Sequence, residues 1–110
     1  MASLGKARFK GASGKMYRFR VYALGTRFRK LSGVYVVTNR TSNTNGGHRH
    51  AIVYVGQTED LSQPFDKHRK ADAFRQHGAD CICLLSDDSE ESRLAKEKDL
   101  VAAFRPVCND

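Results

Sequence analysis

Two short apolar runs rich in β-branched residues, at positions 34–38 (Val-Tyr-Val-Val-Thr) and 51–55 (Ala-Ile-Val-Tyr-Val), constrain this chain more than any other feature. Branching at Cβ crowds a helix but suits a pleated strand, so both runs are expected to be buried strands. The polar stretch between them, 39–50, contains Asn45-Gly46-Gly47, residues that tolerate positive φ. It predicts a hairpin with a long tip that carries His48 and His50. Upstream, residues 16–22 alternate, with Tyr17, Phe19 and Val21 on one side and Arg18 and Arg20 on the other. That is the pattern of a half-buried strand with a basic outer face. The turn-like Gly11-Ala12-Ser13-Gly14 lets Arg8-Phe9-Lys10 fold back as a short partner strand with Phe9 toward the core.

After Gly56 the pattern becomes helical. Asp60 or Ser62 can cap a helix whose first turn holds Pro64 and which runs to about Gln76, where Gly78 ends it. Residues 81–85 form another apolar strand. Asp88 with Glu91 has capping-box spacing for a second helix reaching Arg105 and stopped by Pro106. The expected fold class is α+β, a small antiparallel sheet flanked by helices with an extra N-terminal β segment over 1–32. At 110 residues the chain is expected to be one domain, since there are no repeats and no linker long enough to separate two.

Charge is unevenly distributed. No Asp or Glu precedes Glu59, so residues 1–58 carry +11, whereas 59–110 carry −4. A half so basic is suited to a polyanion, nucleic acid first and an anionic membrane surface second. No apolar run approaches the ~18 residues needed to span a bilayer, and the first residues lack the apolar core of a signal peptide, so the expected location is the cytoplasm. Three cysteines (Cys81, Cys83, Cys108) cannot all pair internally and are expected to be buried thiols. Cys81 and Cys83 share a strand face and with His48 or His50 would make a zinc site, but the paired Cys-x-x-Cys spacing usual for structural zinc is missing.

One acid is out of place. At about 100° per residue on the second helix, Leu94, Leu100, Val101 and Phe104 fall in one stripe with Glu97 in its middle. A buried carboxylate requires a cation, a strong set of hydrogen bonds or water. A metal ion is one answer; an ion pair with Arg93 or Arg105 is the other.

Gly33-Val34-Tyr35 and Tyr54-Val55-Gly56 end adjacent strands, and the similarity they begin continues through 57–61 and from Glu97 to Pro106 and Asn109. Over roughly 33–109 the chain resembles the GIY-YIG nuclease family; the first 32 residues lie outside the resemblance. That resemblance implies a metal-dependent hydrolase of DNA phosphodiesters. In it Glu97 holds Mg2+ (or Mn2+), Tyr35 and Tyr54 bracket the attacking water and the phosphate, His68 matches a functional histidine of some members, and Asn109 supports the site. A metal lowers the pKa of bound water and a phenol relays its proton. The match departs where the family places an arginine on the helix: that position is Pro64, which has neither charge nor donor. Lys67 and Arg69 follow on the same expected helix. The spacing between the two tripeptides is also longer than usual. Two functions therefore fit: a metal-dependent endonuclease, or a catalytically inactive nucleic-acid-binding or interaction module on the same fold. Either would use the basic residues Arg18, Arg20, Arg27, Arg29, Arg49, Lys67 and Arg69 against phosphates.

Overall fold

In a computed structural model, the structure describes residues 3–42, 47–63, 68 and 70–109. Five strands, β1 (Gly5–Lys10), β2 (Met16–Ala23), β3 (Gly33–Ser42), β4 (His48–Thr58) and β5 (Cys81–Ser86), form one antiparallel sheet in the order β1-β2-β5-β3-β4. Among the described residues two helices, α1 (Ala71–Gln76) and α2 (Glu90–Phe104), accompany the sheet in an α+β fold. No described helix is long and apolar enough to cross a membrane.

The central strands β3 and β5 are buried on both faces over their apolar runs, whereas β1 and β2 are buried on one face only. On one face Phe9, Phe19, Val21, Val34, Val36, Val55 and Cys83 pack with Leu100 of α2. On the other, Tyr35, Val37, Tyr54 and Ile82 pack with Phe74 of α1, with Phe28 from the loop after β2 and with Cys108. The sheet curls around α2, so that Phe9 on one edge strand meets His50 on the other, with ring centroids 6.1 Å apart.

The β1–β2 turn falls at Gly11-Ala12-Ser13-Gly14 and is anchored by a residue that sequence reasoning did not single out. Asp99 of α2 accepts hydrogen bonds from the Ser13 backbone at 2.8 Å, the Ser13 hydroxyl at 2.7 Å and the Tyr17 phenol at 2.7 Å. A Cβ on Gly11 would lie 2.0 Å from the Asp99 carboxylate, so glycine is what lets the hairpin close onto the helix.

Several expected boundaries move. The hairpin tip is shorter than expected, because β3 and β4 keep pairing through polar residues: Arg40 faces His50 and Ser42 faces His48, so both histidines belong to a strand. Backbone pairing is indifferent to side-chain polarity, and edge positions tolerate it. The first helix begins at Ala71 instead of near Ser62, since the Asp60 carboxylate accepts from the Ser62 amide and hydroxyl and closes a local turn there. Pro64 lies outside the described residues. The cap of α2 is Ser89, accepting from Ser92 N–H at 3.1 Å, rather than Asp88. The inner stripe of α2 is also more polar than expected. Leu94 is 44 % and Phe104 40 % exposed, and the buried positions are Arg93 and Leu100.

The free edge of β4 is covered. Cys108 N–H donates to the Val53 carbonyl at 3.0 Å. The Asn109 side chain bonds both sides of Val55, accepting from its N–H at 2.7 Å and donating to its carbonyl at 2.8 Å. Asn109→Ala is expected to cost about 1–3 kcal/mol by urea unfolding, from two lost hydrogen bonds and two edge groups left unpaired.

Candidate functional site

A β-bulge determines which residues of β4 reach the site. Val37 pairs with Tyr54, but Thr38 pairs with Ile52, leaving Val53 as an extra residue. Before the bulge His50 and Ile52 face α2; after it Val55 and Gln57 do, and Tyr54 turns to the opposite face beside Tyr35. The two tyrosine rings lie 6.0 Å apart. Tyr35 is directly opposite Gly56, and a Cβ there would lie 2.5 Å from the Tyr35 phenol oxygen and 2.9 Å from the Tyr54 ring. Only glycine leaves room for the phenol to lie across the strand. Gly33 is restricted in the same way by the Leu85 carbonyl, 2.6 Å from its would-be Cβ.

His68 completes the cluster. It lies before α1 rather than within the helix expected from about Ser62, with its ring 5.5 Å from Tyr54 and 5.1 Å from Phe74. Its Nδ1 accepts the Lys70 N–H at 3.1 Å, so in the neutral ring the proton resides on Nε2, which is 3.2 Å from the Tyr35 hydroxyl. A donor at that oxygen stabilises negative charge developing on it. Lys70, which sequence reasoning missed in favour of its neighbours, places its Nζ 5.5 Å from the centre of the Tyr54 ring and donates to the Cys108 carbonyl. It brings a positive charge to the tyrosines.

Glu97 approaches from the other side. Burial pushes its pKa above the ordinary range, the larger effect, while the nearby Gln57 backbone N–H at the edge of β4 pulls it down. Among the described residues no cation pairs with it. Arg93 is committed elsewhere, to the Gln57 side chain at 3.0 Å and the Asp87 carbonyl at 3.1 Å, and Arg105 is an exposed residue at the helix end with φ 43°. Tyr35 and Glu97 thus meet one strand segment, Tyr35 across Gly56 and Glu97 at Gln57.

The structure therefore brings together Tyr35, Tyr54 and His68, sets Asn109 behind them on Val55, and puts Glu97 one residue along the strand. Both tyrosines are buried, 5 % and 8 % exposed. Arg18 and Arg20 are exposed on β2, Arg27 and Arg29 on the loop after it, and Arg49 on β4 opposite Thr41. Lys67 and Arg69 lie outside the described residues. Among the described residues no group of three or more His, Cys, Asp or Glu side chains could hold a metal ion. The three cysteines are buried and free, and burial raises the Cys83 thiol to about 12. No family model, curated protein or solved structure matches the chain.

A carboxyl whose folded-state pKa is raised contributes most at low pH and loses that contribution as pH rises through its folded value. Glu97→Gln keeps an acceptor for Gln57 and removes the charge. It is expected to raise the melting temperature at pH 7, with the difference from wild type shrinking as the pH falls through the carboxylate range.

Proposed function

We propose that this domain is a GIY-YIG-like, metal-dependent endonuclease domain acting on DNA phosphodiesters. The observation that carries the proposal is Glu97, a half-buried carboxylate with no cationic partner among the described residues, held at the strand segment that Tyr35 crosses. The resemblance in sequence and the side chains gathered around Gly56 support the same reading.

The donor set suits Mg2+ or Mn2+, which accepts a single carboxylate and takes its remaining ligands from water and phosphate. Such an ion would neutralise charge on the phosphate and make a bound water more acidic. The chain's own residues do the rest. Glu97 would supply the anionic ligand, beside the Gln57 backbone N–H. As the phenolate, with His68 Nε2–H donating to its oxygen, Tyr35 would accept a proton from the attacking water and become the neutral phenol. Asn109 holds Val55 and so the strand between Tyr54 and Gly56. Lys70 supplies the cation at the phosphate, the role of the arginine that Pro64 cannot fill.

Burial of Tyr35 and Tyr54, together with proline at the arginine position, favours a second reading, a nucleic-acid-binding module that has the fold without the reaction.

The test is nicking of supercoiled plasmid with Mg2+ or Mn2+ by wild type and by Glu97→Ala purified alongside it. Cutting by wild type alone supports catalysis, whereas no cutting, or equal cutting by both, leaves the binding module. In an active protein Lys70→Ala is expected to lower the rate about 100-fold, as for loss of one charge-stabilising donor, with partial recovery in Lys70→Arg. A rate unchanged in Lys70→Ala would show that another group takes the arginine's part.

A further inference from the structure

The sheet face that carries the tyrosines continues onto strands that α1 does not cover. Across the paired strands from Tyr35 the neighbours are Leu84 on β5, Arg20 on β2 and Lys6 on β1. Directly paired residues in an antiparallel sheet share a face, so Lys6 and Arg20 are level with Tyr35 on its own side. Two positions along, Arg8 is paired with Arg18 on the same face. All four cations are exposed, and they border two shallow grooves of about 390 and 220 Å³, the second reaching Leu84 and Ser86 on β5.

Folding alone does not favour this arrangement. Like charges directly opposite one another on a sheet are destabilising, and here two successive same-face pairs, Lys6 with Arg20 and Arg8 with Arg18, are both cationic. Among the described residues no carboxylate forms an ion pair with any of them. A polyanion laid on this face removes the repulsion. The face also lacks what single-strand binders use. Its aromatic residue on β2, Tyr22, is occupied edge-on by Phe28 at 5.1 Å, so no exposed described ring is offered for stacking bases. Guanidinium and ammonium groups without stacking platforms suit the phosphates of a duplex, read without regard to sequence.

We propose that Lys6, Arg8, Arg18 and Arg20 form a platform for the backbone of duplex DNA, continuous with the Tyr35 site. The proposal deepens the nuclease reading and rests on it for the position of the scissile phosphate. Three strand intervals of about 4.8 Å separate β1 from β3, roughly 14 Å, or about four base-pair steps at 3.4 Å each. The platform therefore holds the duplex on one flank of the site, about four base pairs from the phosphate at Tyr35.

The test is fluorescence anisotropy of a labelled duplex titrated at several salt concentrations. It compares wild type with the quadruple variant Lys6→Gln, Arg8→Gln, Arg18→Gln, Arg20→Gln, and with the two doubles Arg8→Gln/Arg18→Gln and Lys6→Gln/Arg20→Gln. Glutamine keeps each strand's alternation, and the doubles serve if the quadruple variant does not fold. At about 0.9 per phosphate contact, the slope of log K against log salt is expected to fall by about 3.6 in the quadruple variant and by about half as much in each double, with no fall in melting temperature. An unchanged slope overturns the platform, as does a single strand of equal length binding with the same affinity and slope. Binding of phosphatidylserine vesicles through these residues without binding of the duplex overturns it in favour of a lipid surface. The plasmid assay separates the two claims: Glu97-dependent nicking with an unchanged slope removes the platform alone, and a reduced slope without nicking removes catalysis alone.

Discussion

The extra residue Val53 in β4 determines which side of the sheet each later side chain of that strand meets. Alternation along a strand is strict, so without the bulge Tyr54 would turn toward α2 and Gln57 away from it. With it, Tyr54 stands beside Tyr35, and Gln57 meets both Arg93 and Glu97. The tyrosine cluster and the α2 contact thus rest on a single insertion in the pairing, of the kind that re-aims side chains in functional sheets.

The covered edge of β4 depends on the same strand. Residues 53, 55 and 57 present their outward backbone groups in turn to Cys108, Asn109 and Glu97. Satisfying an edge this way blocks pairing with another chain and also draws the chain's last described residues against the tyrosine side. Lys70 joins the two by donating to Cys108 while lying over Tyr54. Edge protection and assembly of the site are therefore achieved by the same contacts.

Electrostatic features are concentrated where packing would not favour them. Glu97 is half-buried with a raised pKa, and two like-charged pairs oppose each other on β1 and β2. Elsewhere the charges are well satisfied: Lys96 and local hydrogen bonds hold the Asp87 carboxyl down to about 2, and the Asp99 carboxylate is held low by the Ser13 and Tyr17 donors it anchors. Under the proposed function, uncompensated charge at the strand segment beside Tyr35 and along one flank of it would be met by the cation and the phosphates of the substrate.

The sequence by itself determined the strands, the hairpin turn at Gly11–Gly14, the α+β class, the inward side of β2 and the misplaced carboxylate, because each follows from local periodicity or turn chemistry within a few residues. It also contained the tripeptides whose glycines the structure explains, Gly33 against Leu85 and Gly56 beneath Tyr35. Only the tertiary structure decided the strand order, the late start of α1, the phase change at Val53, the commitment of Arg93 to Gln57 and the approach of Lys70 to Tyr54. These depend on which distant segments lie side by side. A bulge has no signature in the composition of its own strand, and an arginine's partner is settled by whichever acceptor the packed helix leaves within reach.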